Sequence, residues 1–196
     1  MQLKETLENL KKQKAIVEIY GLGYVGFPLA VRLSKMGLTV HGIDVNDNRI
    51  QRLKKNELLD SEINLKDGFI ESRTNGKLEL ENSPKKYNLP KIGIICVPTP
   101  IPNEKIQSDV YVRSAVESFL NTSKIGDVLI LESSIEVGTT ENIIDLIESK
   151  KLKVGIDCGV CFCPERIDPA NKEWKIENIP RVIYCSDDES FLIAKE

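Results

Sequence analysis

The chain has 196 residues, of which 41% are hydrophobic and 29% charged, as in an ordinary globular protein with a real core. Its net charge of −3 arises from 27 basic and 30 acidic residues spread along the sequence, so no basic face for nucleic acid is expected. The polar N-terminus lacks the apolar run of a signal peptide, and no apolar stretch approaches the ~20 residues that span a bilayer. We therefore expect a cytoplasmic protein with no membrane partner.

The five cysteines favour reduced thiols, because they are odd in number and the chain has no export signal. Cys158, Cys161 and Cys163 lie close together in sequence, which allows a metal site, but the only histidine, His41, is far from them. Free cysteine behaves as a small hydrophobe. Buried thiols that fill a strand are therefore the preferred interpretation, and no metal is expected.

The first part of the chain predicts an added helix and then one βαβ unit. A charged amphipathic pattern at about residues 2–13 has leucines at helical spacing and is expected at an edge of the domain. The unit that follows has a buried strand over 15–20, a helix over 24–36 that ends at Gly37, and a second strand over 38–44.

The remaining sequence alternates between strands and helices after a stretch without a clear pattern. A helix is predicted over 47–55, whereas residues 56–90 are polar and are assigned only to helix and loop. Further strands are predicted over 91–97, 127–133, 154–163 and 181–185, with helices over 109–120 and 139–149. This order predicts a single α/β domain, Rossmann-like and doubly wound, with a mainly parallel sheet and helices on both faces.

Gly21, Gly23 and Gly26 form a G-x-G-x-x-G motif, which is weak evidence alone but lies between a predicted strand and a predicted helix. In this context the first glycine makes a tight turn, the second lets the backbone approach a pyrophosphate, and the third allows helix and strand to pack closely. The phosphates would lie on the N–H groups of Tyr24 and Val25. The alternative is a merely flexible loop.

Asp44 ends the second predicted strand, where a carboxylate can accept hydrogen bonds from the adenosine ribose hydroxyls. A 2′-phosphate would place negative charge against this carboxylate, so NAD is preferred over NADP. Arg49 is the one residue that argues for NADP, because an arginine can hold a 2′-phosphate. It could equally lie over the adenine ring or be a solvated helix residue.

Five segments together resemble the UDP-glucose/GDP-mannose dehydrogenase family of nucleotide-sugar dehydrogenases. They are GLGYVGFPLA (21–30), GIDVNDNRI (42–50), CVPTP (96–100), ESSIEVGTT (132–140) and CPER (163–166). Residues 164–182 look most like the branch that oxidises UDP-N-acetylhexosamines for surface glycans. The resemblance implies that Val25, Asp44, Arg49, Val97 and Thr99 contact NAD, and that Ser134 and Glu165 reach both the nicotinamide and the reacting sugar carbon.

In such an enzyme Ser134 and Glu165 would position or deprotonate water, as general-base catalysis requires. The alternatives are a turn residue at Ser134 and a surface ion-pair partner at Glu165. This chain departs from the family pattern at Ser134, where threonine is usual, at Glu136, where proline is common, and at 184–186, where glycines are usual.

The resemblance also implies a longer enzyme that oxidises a sugar C6 hydroxyl to a carboxylate with two NAD. The central region that makes a homodimer and the C-terminal domain that binds the UDP-sugar are expected to be absent here. None of the five cysteines matches the family nucleophile, and Cys163 is interpreted as structural. Alternatives are a freestanding NAD-binding module and part of a hydroxyacid-type dehydrogenase.

Overall fold

The computed structural model describes residues 2–101, 108–166 and 179–196, which form one seven-stranded sheet covered by helices. The strands are β1 (Ile16–Tyr20), β2 (Thr39–Ile43), β3 (Leu78–Glu81), β4 (Lys91–Ile95), β5 (Val128–Leu131), β6 (Gly159–Phe162) and β7 (Tyr184–Cys185). The helices are α1 (Gln2–Lys11), α2 (Gly26–Lys35), α3 (Asp47–Lys54), α4 (Lys66–Thr74), α5 (Val110–Leu120), α6 (Thr139–Ser149) and α7 (Asp188–Lys195), with a 3-10 helix at Asp60–Leu65.

The sheet has the order β3-β2-β1-β4-β5-β6-β7, and every pair is parallel except β6 with β7. Successive strands are therefore added on one side of β1 as far as β3, and on its other side from β4 onward. In open α/β sheets ligands bind outside the carboxyl ends of the strands at such a switch point. The predicted fold class is confirmed, and a ligand site is therefore expected at the loops after β1, β4, β5 and β6.

Two apolar clusters pack on opposite faces of the sheet, which explains the near-continuous apolar sequence of its central strands. One cluster lies beneath α1, α2 and α7 and includes Phe27 and Phe69. The other includes Phe119, Ile143 and Ile147 from α5 and α6. Within the described ranges no helix is long and apolar enough to cross a membrane.

Residues 56–90 contain helix and loop as predicted, namely the 3-10 helix and α4, but also the strand β3, which the sequence did not predict. β3 extends the sheet beyond β2, with Leu78 and Leu80 buried and Glu79 on the exposed side. Four residues with two glutamates give a weak strand signal, and short charged strands are typical of sheet edges. The strand predicted over 154–163 is wrong in its first half, where Gly155 adopts a φ of +80° in a turn before β6.

The expectation of reduced thiols is wrong for two of the cysteines. Cys161 of β6 and Cys185 of β7 lie directly opposite each other in the antiparallel pair and form a disulfide. Cys158 and Cys163 are buried free thiols as predicted, but they lie directly before and directly after β6 and not within a strand. Among the described residues no three His, Cys, Asp or Glu side chains are grouped as metal ligands.

A buried ion pair interrupts the apolar interior at the centre of the sheet. Glu18 of β1 accepts hydrogen bonds from Lys91 Nζ at 2.9 Å and from the Tyr20 hydroxyl at 2.8 Å. Lys91 Nζ also donates to the carbonyl of Phe119 at 3.2 Å, while its backbone N–H donates to Asp127 at 3.0 Å. Both charges of the pair are therefore compensated inside the core, as buried charges must be.

Candidate functional site

The three glycines of the motif occupy different environments at the carboxyl end of β1. Gly21 has a φ of +92°, and a Cβ there would lie 2.8 Å from the carbonyl oxygen of Cys96. A Cβ on Gly26 would lie 1.9 Å from the carbonyl oxygen of Gly21, so α2 can approach β1 only without a side chain. A Cβ on Gly23 would meet nothing within 4 Å. The backbone at Gly23 therefore borders open space, where a ligand could approach it.

The N-terminus of α2 faces this open space without a cap of its own. Val25 occupies the N-cap position, makes no side-chain cap hydrogen bond, and no acidic residue lies in the first turn. The first N–H groups of a helix have no acceptor within the helix and carry a partial positive charge. Tyr24, directly before Val25, is 72% exposed. This end of the helix can accept an anionic group.

Asp44 follows β2 and joins it to the glycine loop. Its Oδ2 accepts the backbone N–H of Leu22 at 2.8 Å, and its Oδ1 accepts that of Asn46, also at 2.8 Å. The backbone N–H of Gly21 donates to the carbonyl of Ile43 at 2.8 Å. These hydrogen bonds from backbone N–H groups fix the loop without the help of a ligand. Each Asp44 oxygen can still accept a further hydrogen bond from a hydroxyl group.

Arg49 is placed beside the same loop, but it is not the solvated helix residue that was one of the alternatives. Its Nε donates to the carbonyl of Leu22 at 3.0 Å, and its two terminal nitrogens both bind Glu62. The guanidinium also lies 5.0 Å from the centre of the Phe27 ring. Only 12% of the Arg49 side chain is exposed. Glu62 was missed from the sequence, because it lies in the stretch that showed no pattern.

The loops after β4 and β5 meet next to the glycine loop. Ser133 donates its hydroxyl to the carbonyl of Val97 at 2.7 Å, which ties the end of β5 to the segment that carries Thr99. Thr99 in turn lines a small cavity together with residues before α5 and residues before and at the start of α6, namely Ser108, Asp109, Ile135, Glu136 and Thr139. Ser134 is exposed at the carboxyl end of β5. These predicted site residues therefore share one edge of the sheet with the glycine motif.

Glu165 reaches the same edge from the loop after β6. Its backbone N–H donates to the carbonyl of Glu132 at 3.1 Å, which places it beside the segment that leads to Ser134. Its carboxylate binds Arg181 Nη2 at 2.5 Å, so Glu165 is an ion-pair partner as in the alternative, but it is largely buried and does not lie on the surface. Arg181 also binds the buried carboxylate of Glu132. Residues 167–178, which belong to the stretch assigned to the UDP-N-acetylhexosamine branch, lie outside the described residues.

Burial controls the protonation of the groups around Arg181. It raises the pKa of Glu132, and Arg181 only partly opposes that effect. It also raises the pKa of Cys163, although Arg181 Nη1 lies 3.8 Å from the sulfur, and it raises the pKa of Cys96 well above its usual value. Because the thiolate is the reactive form of cysteine, neither thiol is activated as a nucleophile. The interpretation of Cys163 as structural is supported.

Comparison with known proteins gives a consistent result. The UDP-glucose/GDP-mannose dehydrogenase family, NAD binding domain, matches residues 15–196. The chain is 33% identical over 181 residues to UDP-N-acetyl-D-mannosamine dehydrogenase of Methanocaldococcus jannaschii, covering 91% of this chain and 40% of that protein. It is also 33% identical over 175 residues to UDP-N-acetyl-D-glucosamine 6-dehydrogenase of Pseudomonas aeruginosa, covering 88% of this chain and 40% of that protein.

The solved structures agree. A UDP-N-acetyl-mannosamine dehydrogenase from S. aureus superposes with a TM-score of 0.81 at 27% identity, covering 92% of this chain and 43% of the other. The chain thus spans about 40% of the length of the curated relatives it matches.

Proposed function

The chain belongs to the UDP-glucose/GDP-mannose dehydrogenase family as its NAD-binding domain, and we propose that it is the cofactor-binding part of a nucleotide-sugar 6-dehydrogenase. The observation that carries this proposal is the uncapped N-terminus of α2 beside the open backbone of Gly23. The family match excludes the alternative of a hydroxyacid-type dehydrogenase. A UDP-N-acetylhexosamine is the proposed substrate class, since relatives of the chain are named for UDP-N-acetylmannosamine and UDP-N-acetylglucosamine.

In this proposal the glycine motif and the N-terminus of α2 bind the pyrophosphate of NAD. The N–H groups of Tyr24 and Val25 donate to the phosphates, and Gly23 leaves them room. Asp44 accepts the ribose hydroxyls through lone pairs that its two backbone donors leave available. Arg49 supports the loop through Leu22 and borders the adenosine side of the site.

Val97, Thr99, Ser134 and Glu165 complete the proposed site at the carboxyl ends of β4, β5 and β6. NAD supplies a hydride acceptor when bound. The Glu165 carboxylate takes up a proton from the sugar hydroxyl or from water, and Ser134 donates a hydrogen bond that orients the reacting oxygen. Glu165 suits this role because its backbone is fixed to the segment that carries Ser134.

We further propose that the homodimer contacts, the UDP-binding residues and the nucleophilic cysteine of the complete reaction belong to regions outside these 196 residues. Burial raises the pKa of Cys158 to about 12 and also raises that of Cys96 and Cys163, which supports this view. The chain alone is then expected not to oxidise a nucleotide sugar. A cytoplasmic location and a role in surface polysaccharide synthesis stay predictions.

Calorimetric titration of the chain with NAD and with NADP tests the cofactor site. We expect NAD to bind more tightly, because the extra phosphate of NADP would meet the Asp44 carboxylate. Equal or tighter binding of NADP would contradict the role given to Asp44, and absence of NAD binding would contradict the proposed function itself.

The second test follows NADH formation with UDP-N-acetylmannosamine and UDP-N-acetylglucosamine at saturating NAD. A full-length relative serves as the positive control. No turnover is expected from this chain, because the positioning of cofactor, sugar and nucleophile together can account for ~7 to 11 kcal/mol of a barrier. Clear turnover would contradict the proposal that the residues needed for the reaction lie outside this chain, and formation of the acid would further require a nucleophile among the described thiols.

A further inference from the structure

Arg181 joins two acidic residues that follow different strands of the sheet. Its Nη1 binds Oε1 of Glu132 at the end of β5, and its Nη2 binds Oε2 of Glu165 after β6 at 2.5 Å. The two carboxylates are among the most enclosed charged groups at this edge, with side-chain exposures of 6% and 8%. The planar guanidinium thus bridges them with one nitrogen each, which a point charge such as lysine cannot reproduce.

The same contact fixes the direction of the Glu165 carboxylate. While Arg181 binds Oε2, the backbone N–H of Arg166 donates to Oε1 at 2.6 Å, so both oxygens of Glu165 are held. Glu132 is held on its other oxygen by the Cys96 thiol, which donates to Oε2 at 3.4 Å. Arg181 is the shared member of the two sets of contacts.

Electrostatics makes the arginine necessary for this arrangement. Two carboxylates in a buried site repel each other, and without a cation one of them takes up a proton. Burial has the largest effect on the pKa of Glu132 and raises it. Arg181 lowers this pKa, and Glu165 raises it further. Burial alone lowers the pKa of Arg181, but Glu132 and Glu165 together raise it above its usual value. The arginine therefore stays charged between them.

We propose that Arg181 is a positioning residue of this site, which holds the Glu165 carboxylate in one orientation by bridging it to the buried Glu132. The proposal rests on the proposed function, because it assigns Arg181 to the group that moves the proton. Arg181 acts through Glu165 and is not itself a catalytic residue. A purely structural arginine would only attach the segment before β7 to the sheet.

The experiment follows the side-chain carboxyl carbons of ¹³C-labelled glutamates by NMR as a function of pH in the 196-residue chain. The variants are Arg181→Gln, which removes the charge, and Arg181→Lys, which keeps the charge but not the planar fork. Arg52→Gln is the matched control, because Arg52 pairs with Glu57 at 3.9 Å on the exposed surface of α3. Circular dichroism checks that each variant is folded.

In Arg181→Gln we expect the titration of Glu132 to move to higher pH and to become coupled to that of its neighbour. In Arg181→Lys we expect Glu132 to titrate closer to the wild type, while the Glu165 carboxyl resonance at neutral pH is displaced because its orientation is lost. Arg52→Gln should change neither signal.

The proposal is overturned if the Glu165 carboxyl resonance is the same in folded Arg181→Lys and in the wild type. Should Arg181→Gln fail to fold, the lysine variant alone tests the proposal, since a structural anchor would leave the Glu165 resonance in place. Titration of the wild-type chain with NAD is run on the same samples. If the wild-type chain does not bind NAD, the proposed function is overturned. The effect of the Arg181 variants on the two glutamates can still be interpreted in that case.

Discussion

Replacement of Gly23 by valine tests ligand binding independently of folding, because close packing requires Gly26 whereas Gly23 borders open space. A Cβ at Gly23 meets no heavy atom within 4 Å, so the side chain extends into the space in front of α2. The folded chain should tolerate it. The cofactor should not, because valine would occupy the volume through which the pyrophosphate reaches the backbone.

The expected loss follows from the hydrogen bonds that are blocked. A hydrogen bond to a charged group contributes about 1.5 to 3 kcal/mol, and the loss of one such contact of ~2 kcal/mol weakens binding about 30-fold. Gly26→Ala provides the contrast at the other end of the motif. Its methyl group would lie 1.9 Å from the carbonyl oxygen of Gly21 and 3.1 Å from Cys96 Cβ. Overpacking of this kind costs about 1 to 3 kcal/mol of folding stability, or more where backbone must move.

Calorimetric titration with NAD and urea unfolding of both variants make up the assay. We expect Gly23→Val to keep the unfolding midpoint of the wild type and to bind NAD at least about 30-fold more weakly. Gly26→Ala should unfold at lower urea. If Gly23→Val binds NAD with wild-type affinity while its circular dichroism is unchanged, the pyrophosphate does not lie at this position and the reasoning is refuted.

Two further predictions concern the core. Lys91→Met should lower the free energy of unfolding by about 3 to 5 kcal/mol, because it leaves the buried Glu18 carboxylate without its cation. Urea unfolding measures this loss, and an unchanged midpoint would contradict a stabilising role of the ion pair. Burial lowers the pKa of His41 below 6.5, with Glu79 and Glu18 opposing, so the unfolded chain takes up a proton more readily than the folded one. Stability should therefore fall as the pH drops below 6.5 in the wild type, and less steeply in His41→Gln; equal slopes would show that His41 does not contribute.

The parts of the fold that could be predicted from the sequence are those with strong local signals. The strand, glycine motif and helix over 15–36 combine apolar runs with turn residues, and α6 was predicted with the bounds that the structure shows. β3 could not be predicted in this way, because LELE carries only two apolar residues and pairs with β2, which lies more than thirty residues earlier.

The site shows the same division between local and non-local information. Gly21, Gly23, Gly26 and Asp44 form a motif with fixed spacing, so their clustering could be predicted. Arg181 contacts Glu132, which is 49 positions away in sequence, and no local pattern marks either residue as a partner of the other. The Cys161–Cys185 disulfide was likewise set by the register of β6 and β7 rather than by spacing along the chain.

Asp44 and Arg49, which are predicted to contact NAD, also hold the glycine loop in place. Asp44 accepts the N–H of Leu22, and Arg49 donates to the carbonyl of the same residue, so one peptide unit on each side of Leu22 is fixed from β2 and α3. Glu62 keeps Arg49 in position from the 3-10 helix. A loop that is already ordered loses less conformational entropy when a ligand binds. We therefore expect the weakly patterned stretch after α3 to support cofactor binding indirectly, because Glu62 holds Arg49 beside the glycine loop.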